Sequence, residues 1–183
     1  YRPGRLFGTG TSLETLRLKR ILADRYSVNA FDVQGYCLGE HGNSGFPAYS
    51  TVSIAGAGVN DLDRVFGLAD QLDRAAVAER VVKVAYEVNN SKGWTNTGIA
   101  TAAVSLARAA LMNEKSVYPV SVPMTGEYGL RNVSLSLPAI IGAGGVEKRL
   151  LLNLPDEELA LLEKSAESVK LVLRENNVIG PAD

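Results

Sequence analysis

Helix-length and strand-length patterns follow one another in this chain without regular alternation, and that order restricts the fold more than any single residue does. Thr11 or Ser12 offers a helix N-cap, after which Leu13, Leu16, Ile21 and Leu22 carry a helical apolar spacing to about Tyr26. Residues 33–38 read as a strand, 42–47 have the composition of a turn, and 48–55 read as a second strand. From Asp61 to about Asn90 the pattern is strongly helical, with Gly67 either bending one helix or separating two abutting ones. Ser91-Lys92-Gly93 closes that segment with a glycine suited to a left-handed cap.

An alanine-rich helix begins at Asn96 or Thr97 and runs through Leu111. Three strands are expected near 117–122, 133–141 and 146–152, with turn signals at Gly126, Gly129 and Ala143-Gly144-Gly145. Pro155-Asp156-Glu157-Glu158 opens a last amphipathic helix to about Asn176, and residues 178–183 read as frayed. Short links between strands favour antiparallel pairing. The expectation is an α+β domain over residues 1–183, antiparallel strands packed with long helices, with no internal repeat, low-complexity segment or linker.

A chain of 183 residues that is 46% apolar can bury a proper core. The formal net charge is −1 and basic residues form no dense run, which argues against nucleic acid or an anionic membrane as main partner. No apolar stretch approaches the roughly twenty residues that span a bilayer. Cys37 has no second cysteine to pair with, which fits a reducing, cytoplasmic setting. One histidine and one cysteine do not make a metal centre. Gly8-Thr9-Gly10 and Gly142-Ala143-Gly144-Gly145 match neither a phosphate-binding loop followed by Lys-Ser/Thr nor a complete Gly-x-Gly-x-x-Gly fingerprint, and both read as turns.

One group remains with a pKa suited to proton transfer. His41, the only histidine, stands in Gly39-Glu40-His41-Gly42 at the end of an apolar strand, a common location for site residues. A lone histidine is also compatible with a surface or capped core position. Glu14 and Arg17 lie three apart on the first helix, either as an exposed ion pair or as a carboxylate and a guanidinium serving the imidazole. Their spacing alone does not show that they meet His41.

The ordered series is more specific. Gly8-Thr9-Gly10-Thr11-Ser12-Leu13-Glu14-Thr15-Leu16-Arg17 and Leu38-Gly39-Glu40-His41-Gly42-Asn43-Ser44 closely resemble the L-lactate/malate dehydrogenase family. Lys92-Gly93-Trp94-Thr95, Tyr118-Pro119-Val120, Gly126-Glu127-Tyr128-Gly129 and Leu137-Pro138-Ala139-Ile140-Ile141-Gly142 follow where that family has them. The resemblance covers nearly the whole chain and is to the C-terminal, substrate-binding half, most like the lactate branch.

It implies an oxidoreductase of carboxylic acid metabolism and glycolysis, with NAD held mainly by an N-terminal Rossmann domain absent from this chain. The start at Tyr1-Arg2-Pro3-Gly4, without an initiator methionine, likewise reads as the middle of a longer polypeptide. The resemblance assigns His41 as proton donor and acceptor, Glu14 as its carboxylate partner, Arg17 as the clamp on the substrate carboxylate, Thr95 as a lining of the substrate pocket, and Ile99 as a contact on the nicotinamide side. It also implies a small 2-oxo or 2-hydroxy acid as substrate, a homodimer or homotetramer, and little activity in the chain by itself. A non-catalytic assembly or substrate-recognition role stands as the alternative, as does malate or branched-chain specificity in the parent enzyme.

Relatives usually carry aspartate at the position of Glu14, so either a looser bond to His41 or a shifted helix is expected, with catalysis retained but reduced. Many also have aspartate where Asn43 stands. Relatives activated by fructose 1,6-bisphosphate pair a basic residue with a histidine; Lys19 occupies the first position but Gln34 the second, which argues against strong activation.

Overall fold

In the computed structural model, Arg2 and residues 4–180 are described; the expected fraying of 181–183 lies outside the described residues, as do Tyr1 and Pro3 of the opening motif. The described residues form five α-helices and two three-stranded antiparallel sheets, the α+β arrangement expected from the unalternated order. The first sheet contains β1 (Val33–Leu38), β2 (Phe46–Ile54) and β3 (Ala57–Gly58), in that order. The second contains β4 (Ser116–Thr125), β5 (Arg131–Gly142) and β6 (Gly145–Arg149).

Helix α1 (Ser12–Tyr26) forms where expected, but of the expected stripe only Leu22 is buried: Leu16 is exposed, Leu13 and Ile21 are half-buried, and Leu18, Leu22 and Tyr26 pack against Val33 and Cys37 of β1 and Val52 and Ile54 of β2. The segment after Asp61 resolves as two helices, α2 (Leu62–Val65) and α3 (Arg74–Lys92). Asp63 causes the division: its carboxylate takes Leu72 N–H at 2.7 Å, Arg25 Nη2 at 2.8 Å and Tyr26 Oη at 2.9 Å. Those bonds fold the intervening residues back onto α1 rather than letting the helix continue. Asp73 then caps α3, accepting from Ala76 N–H at 2.9 Å, and Gly93 closes it as expected.

Helix α4 (Thr97–Leu111) starts with Asn96 accepting from Thr97 N–H, and seats Leu106 and Ala109 against Val120, Val122 and Ile141. Helix α5 (Asp156–Glu175) lays Leu162 and Ala166 on Leu38, Leu135 and Leu137. Its buried Glu158 accepts from Ser50 N–H at 2.8 Å and Ser50 Oγ at 2.5 Å, tying the helix to β2. β2 begins two residues before the expected boundary, because Phe46 and Pro47 already pair with Leu38 and Cys37.

One buried serine joins the sheets to α1. Ser136 of β5 exchanges backbone hydrogen bonds with Gly39, at 2.8 and 3.2 Å, and its Oγ accepts from Thr11 N–H at 3.0 Å. Thr11 stands at the N-cap position, but its hydroxyl does not cap α1. It donates instead to Cys37 O at 2.5 Å, while Thr15 Oγ1 accepts from Cys37 N–H at 2.8 Å. Gly10 makes this junction close: its φ is +52°, and a Cβ there would lie 2.4 Å from Ser136 Oγ and 2.6 Å from Ser121 N. Gly10→Ala is therefore expected to destabilise the domain by about 2–4 kcal/mol, from left-handed strain plus a backbone clash. Urea unfolding followed by circular dichroism measures it; an unchanged midpoint would show that the junction relaxes freely.

Candidate functional site

The junction at Ser136 aims two arms at one point. From Thr11 the first turn of α1 carries Glu14 inward, and from Gly39 the chain leaves β1 and reaches His41 two residues later. Glu14 Oε1 lies 2.5 Å from His41 Nδ1. The two partners differ sharply in setting: the Glu14 side chain is 8% exposed, that of His41 56%. An acid anchored in the protein thus holds an imidazole that faces outward.

Extra length at position 14 does not open the pair. The carboxylate reaches the ring directly, in place of the looser bond expected from the change of residue type. Its second oxygen, Oε2, is buried and takes no hydrogen bond from the described residues.

The bond to Glu14 raises the His41 pKa above its ordinary 6.5, and the charges of Glu14 and Glu40 add to the effect. Partial burial and the positive charge of Arg17 oppose it. Arg17, one turn beyond Glu14, is half-exposed and forms no hydrogen bond or ion pair with another described residue. A guanidinium without an internal partner beside an exposed imidazole can receive a carboxylate from outside. Burial pushes the Cys37 thiol well above the ordinary range, which disfavours its thiolate.

Thr95 and Ile99 lie at the junction of α3 and α4. Thr95 is exposed and Ile99 half-buried; neither hydrogen-bonds to His41, Glu14 or Arg17. The start of α4 does pack on the start of α1, where a Cβ on Gly98 would sit 2.9 Å from Leu13 Cδ1. From α3, Tyr86 Oη donates to Asn43 Oδ1 at 2.9 Å, linking that helix to the histidine loop. His41 and Glu14 are therefore in contact, Arg17 is coupled to them by charge, and Thr95 and Ile99 stand on the adjoining segment.

The supports of this site did not emerge from sequence reasoning. Ser136 and Ser165 are wholly buried, and each interrupts an apolar pattern, the run 133–141 and the inner face of α5. A polar residue on an otherwise apolar face was the available signal. Among the described residues no cluster of His, Cys, Asp or Glu could hold a metal ion, and no helix is long and apolar enough to cross a membrane. An open cleft of about 660 Å³ between α1 and the start of α3, lined by Ile21, Arg25, Leu72 and Val77, does not include His41.

The geometry thus places a buried carboxylate against an exposed histidine, beside an arginine that has no ion-pair partner among the described residues. The model of the lactate/malate dehydrogenase alpha/beta C-terminal domain matches residues 11–177, and the chain belongs to that family. It is 44% identical to an L-lactate dehydrogenase of Selenomonas ruminantium over 94% of this chain and 54% of that protein. With L-lactate dehydrogenase 2 of Clostridium acetobutylicum the identity is 40%, over 95% and 54%. With the L-lactate dehydrogenase of Treponema denticola it is 38%, over 97% and 57%. The chain spans about half the length of the curated relatives it matches.

The raised histidine pKa has a defined consequence for stability. A group whose pKa is higher folded than unfolded contributes fully below its unfolded value and loses that contribution as pH rises through the folded value. The His41–Glu14 pair should therefore stabilise the domain most below about pH 6.5 and progressively less above it, to an extent reduced by solvent at the exposed ring. Thermal unfolding from pH 5.5 to 9, compared with His41→Gln, tests this. The difference between the two proteins should shrink with rising pH; a growing difference would contradict the assignment.

Proposed function

We propose that this chain is the catalytic, substrate-binding domain of an NAD-dependent L-2-hydroxy acid dehydrogenase, with L-lactate and pyruvate as its substrate pair. The carrying observation is the 2.5 Å bond between buried Glu14 and outward-facing His41, beside an unpaired Arg17. The names of the relatives support the choice of lactate over malate or a branched-chain 2-hydroxy acid.

In the reduction of a 2-oxo acid, Arg17 binds the substrate carboxylate through its planar fork and fixes the distance of C2 from the ring. Because His41 Nδ1 faces Glu14, Nε2 is the nitrogen directed to the substrate oxygen. Protonated His41 donates from Nε2 as C2 gains hydride, and in the reverse direction the neutral ring accepts that proton. Glu14 remains the carboxylate partner and stabilises the imidazolium between these steps. Thr95 lines the pocket and Ile99 offers apolar contact on the cofactor side. Bound NAD supplies the hydride chemistry.

The residues present fit only the reacting end of a dinucleotide. At the start of α1 the Thr11 N–H is taken by Ser136, and the Gly10 backbone is pressed against β4, so Gly8-Thr9-Gly10 leaves no cradle for a diphosphate. This supports a separate N-terminal Rossmann domain in the parent enzyme. Exposed Val104 and Leu111 on α4, 67% and 82% accessible, support cover by further protein and hence a homodimer or homotetramer. A cytoplasmic enzyme is the corresponding setting.

The full-length enzyme carrying this chain, assayed with NADH against pyruvate, oxaloacetate and 2-oxoisocaproate, should reduce pyruvate fastest. Failure to reduce any 2-oxo acid would overturn the proposal, and residues 1–183 alone should show almost no turnover. His41→Asn should lower kcat by about 10²–10⁴-fold, while Arg17→Lys should mainly raise KM by losing the bidentate fork. Glu14→Asp withdraws the carboxylate by about one C–C bond, roughly 1.5 Å, and should lower kcat in this particular backbone. An unchanged kcat and pH profile would mean that the dyad does not depend on reach.

A further inference from the structure

The loop bearing His41 is also held by a hydroxyl of α5, that of Ser165. Ser165 is wholly buried, on a helix face otherwise occupied by Leu162, Ala166 and Val169, where an apolar side chain would complete the packing. Its Oγ accepts from Glu40 N–H at 2.8 Å and lies 3.0 Å from Ser44 Oγ. Ser44 in turn donates to the Glu40 carboxylate. The residue before His41 and the one three places after it therefore converge on the same buried atom.

Gly39 permits that approach. Its φ is +88°, and a Cβ at this position would stand 2.6 Å from Ser165 Oγ and 3.1 Å from Ser165 Cβ. Both a left-handed backbone and a missing side chain are needed for α5 to come this close. We propose that Ser165 is a positioning residue for His41, which fixes both ends of the Glu40–Ser44 loop so that the ring meets Glu14 in one orientation. For its catalytic consequence this inference rests on the dehydrogenase reading above; for the geometry of the ring it does not.

The charged groups around the ring are Glu14 and Arg17 on α1 and Glu40 on the loop itself. The hydrogen bond His41 donates to Glu14 is the largest of their influences, so a loop freed from α5 should let His41 titrate at lower pH, nearer an unperturbed imidazole. Since the sequence contains one histidine, its imidazole proton resonances report this directly in the 183-residue chain by NMR. Ser165→Ala should move the titration down most, Ser44→Ala should move it less, and Ser44→Thr, which keeps the hydroxyl, should leave it as in the parent. Folded Ser165→Ala with the parent titration overturns the proposal. Should Ser165→Ala not fold, identical titrations for Ser44→Ala and Ser44→Thr overturn it instead.

In the full-length enzyme, Ser165→Ala is expected to reduce kcat by about tenfold or more while KM for the 2-oxo acid stays close to the parent value. Lost thermal stability with unchanged kcat would indicate packing alone and overturn the proposal. The NMR measurement needs no turnover and so survives failure of the dehydrogenase reading. An active enzyme whose histidine ignores both serines would leave that reading intact and remove this inference.

Discussion

Ser136 anchors both arms of the acid/base pair, and the rest of the site depends on that double attachment. Its backbone closes the end of β1 at Gly39, and its hydroxyl receives the first N–H of the α1 turn from Thr11. Glu14 lies one helical turn beyond the first anchor, and His41 two residues beyond the second. With both segments fixed to one residue of β5, little freedom is left in the distance between carboxylate and imidazole. The observed 2.5 Å follows from this geometry more than from the two side chains. An acid/base pair assembled from a helix and a loop would otherwise lose orientation through the motion of either.

Buried hydroxyls do most of this fixing. Thr11 and Thr15 bracket Cys37 through its carbonyl and its N–H, and Ser12 Oγ donates to Pro119 O at 3.0 Å. Each such bond contributes about 1 kcal/mol net, comparable to a buried methylene, but the cost of leaving its partner unpaired makes the arrangement hard to exchange. Apolar packing decides that α1 lies on β1; the hydroxyls decide where along β1 it stops. The second choice determines whether Glu14 meets His41 or misses it by a residue.

Residue patterns revealed the elements better than they revealed these locks. The limits of β1 and the extents of α1, α4 and α5 are legible in apolar spacing and in the residue types at their ends, which are local properties. The division between α2 and α3 was legible only as an ambiguity at Gly67, because its cause, Asp63, draws on Arg25 and Tyr26 nearly forty residues away. The early start of β2 is also a pairing effect, since Pro47 has no strand signal of its own. At the site, the ordered motifs singled out His41, Glu14 and Arg17, and the structure brings the first two together. Ser136 and Ser165 escaped because a serine in an apolar run does not name its partner; only the folded register does.

Under the proposed reading, the contrast between a nearly closed Glu14 and an open His41 sets the direction of the chemistry. Burial strengthens the field of the carboxylate at Nδ1, while exposure leaves Nε2 free to exchange a proton with whatever occupies the surface. Had both groups been buried, the substrate would have no access; had both been exposed, water would screen the carboxylate and the histidine would titrate as an ordinary one. Arg17 adds a limit in the other direction, since its charge works against protonation of the ring. Under the proposed reading, the carboxylate of a bound 2-oxo acid neutralises Arg17 and removes that opposition. Substrate binding would then favour the protonated imidazole that reduction requires, coupling recognition at one end of a small molecule to proton donation at the other.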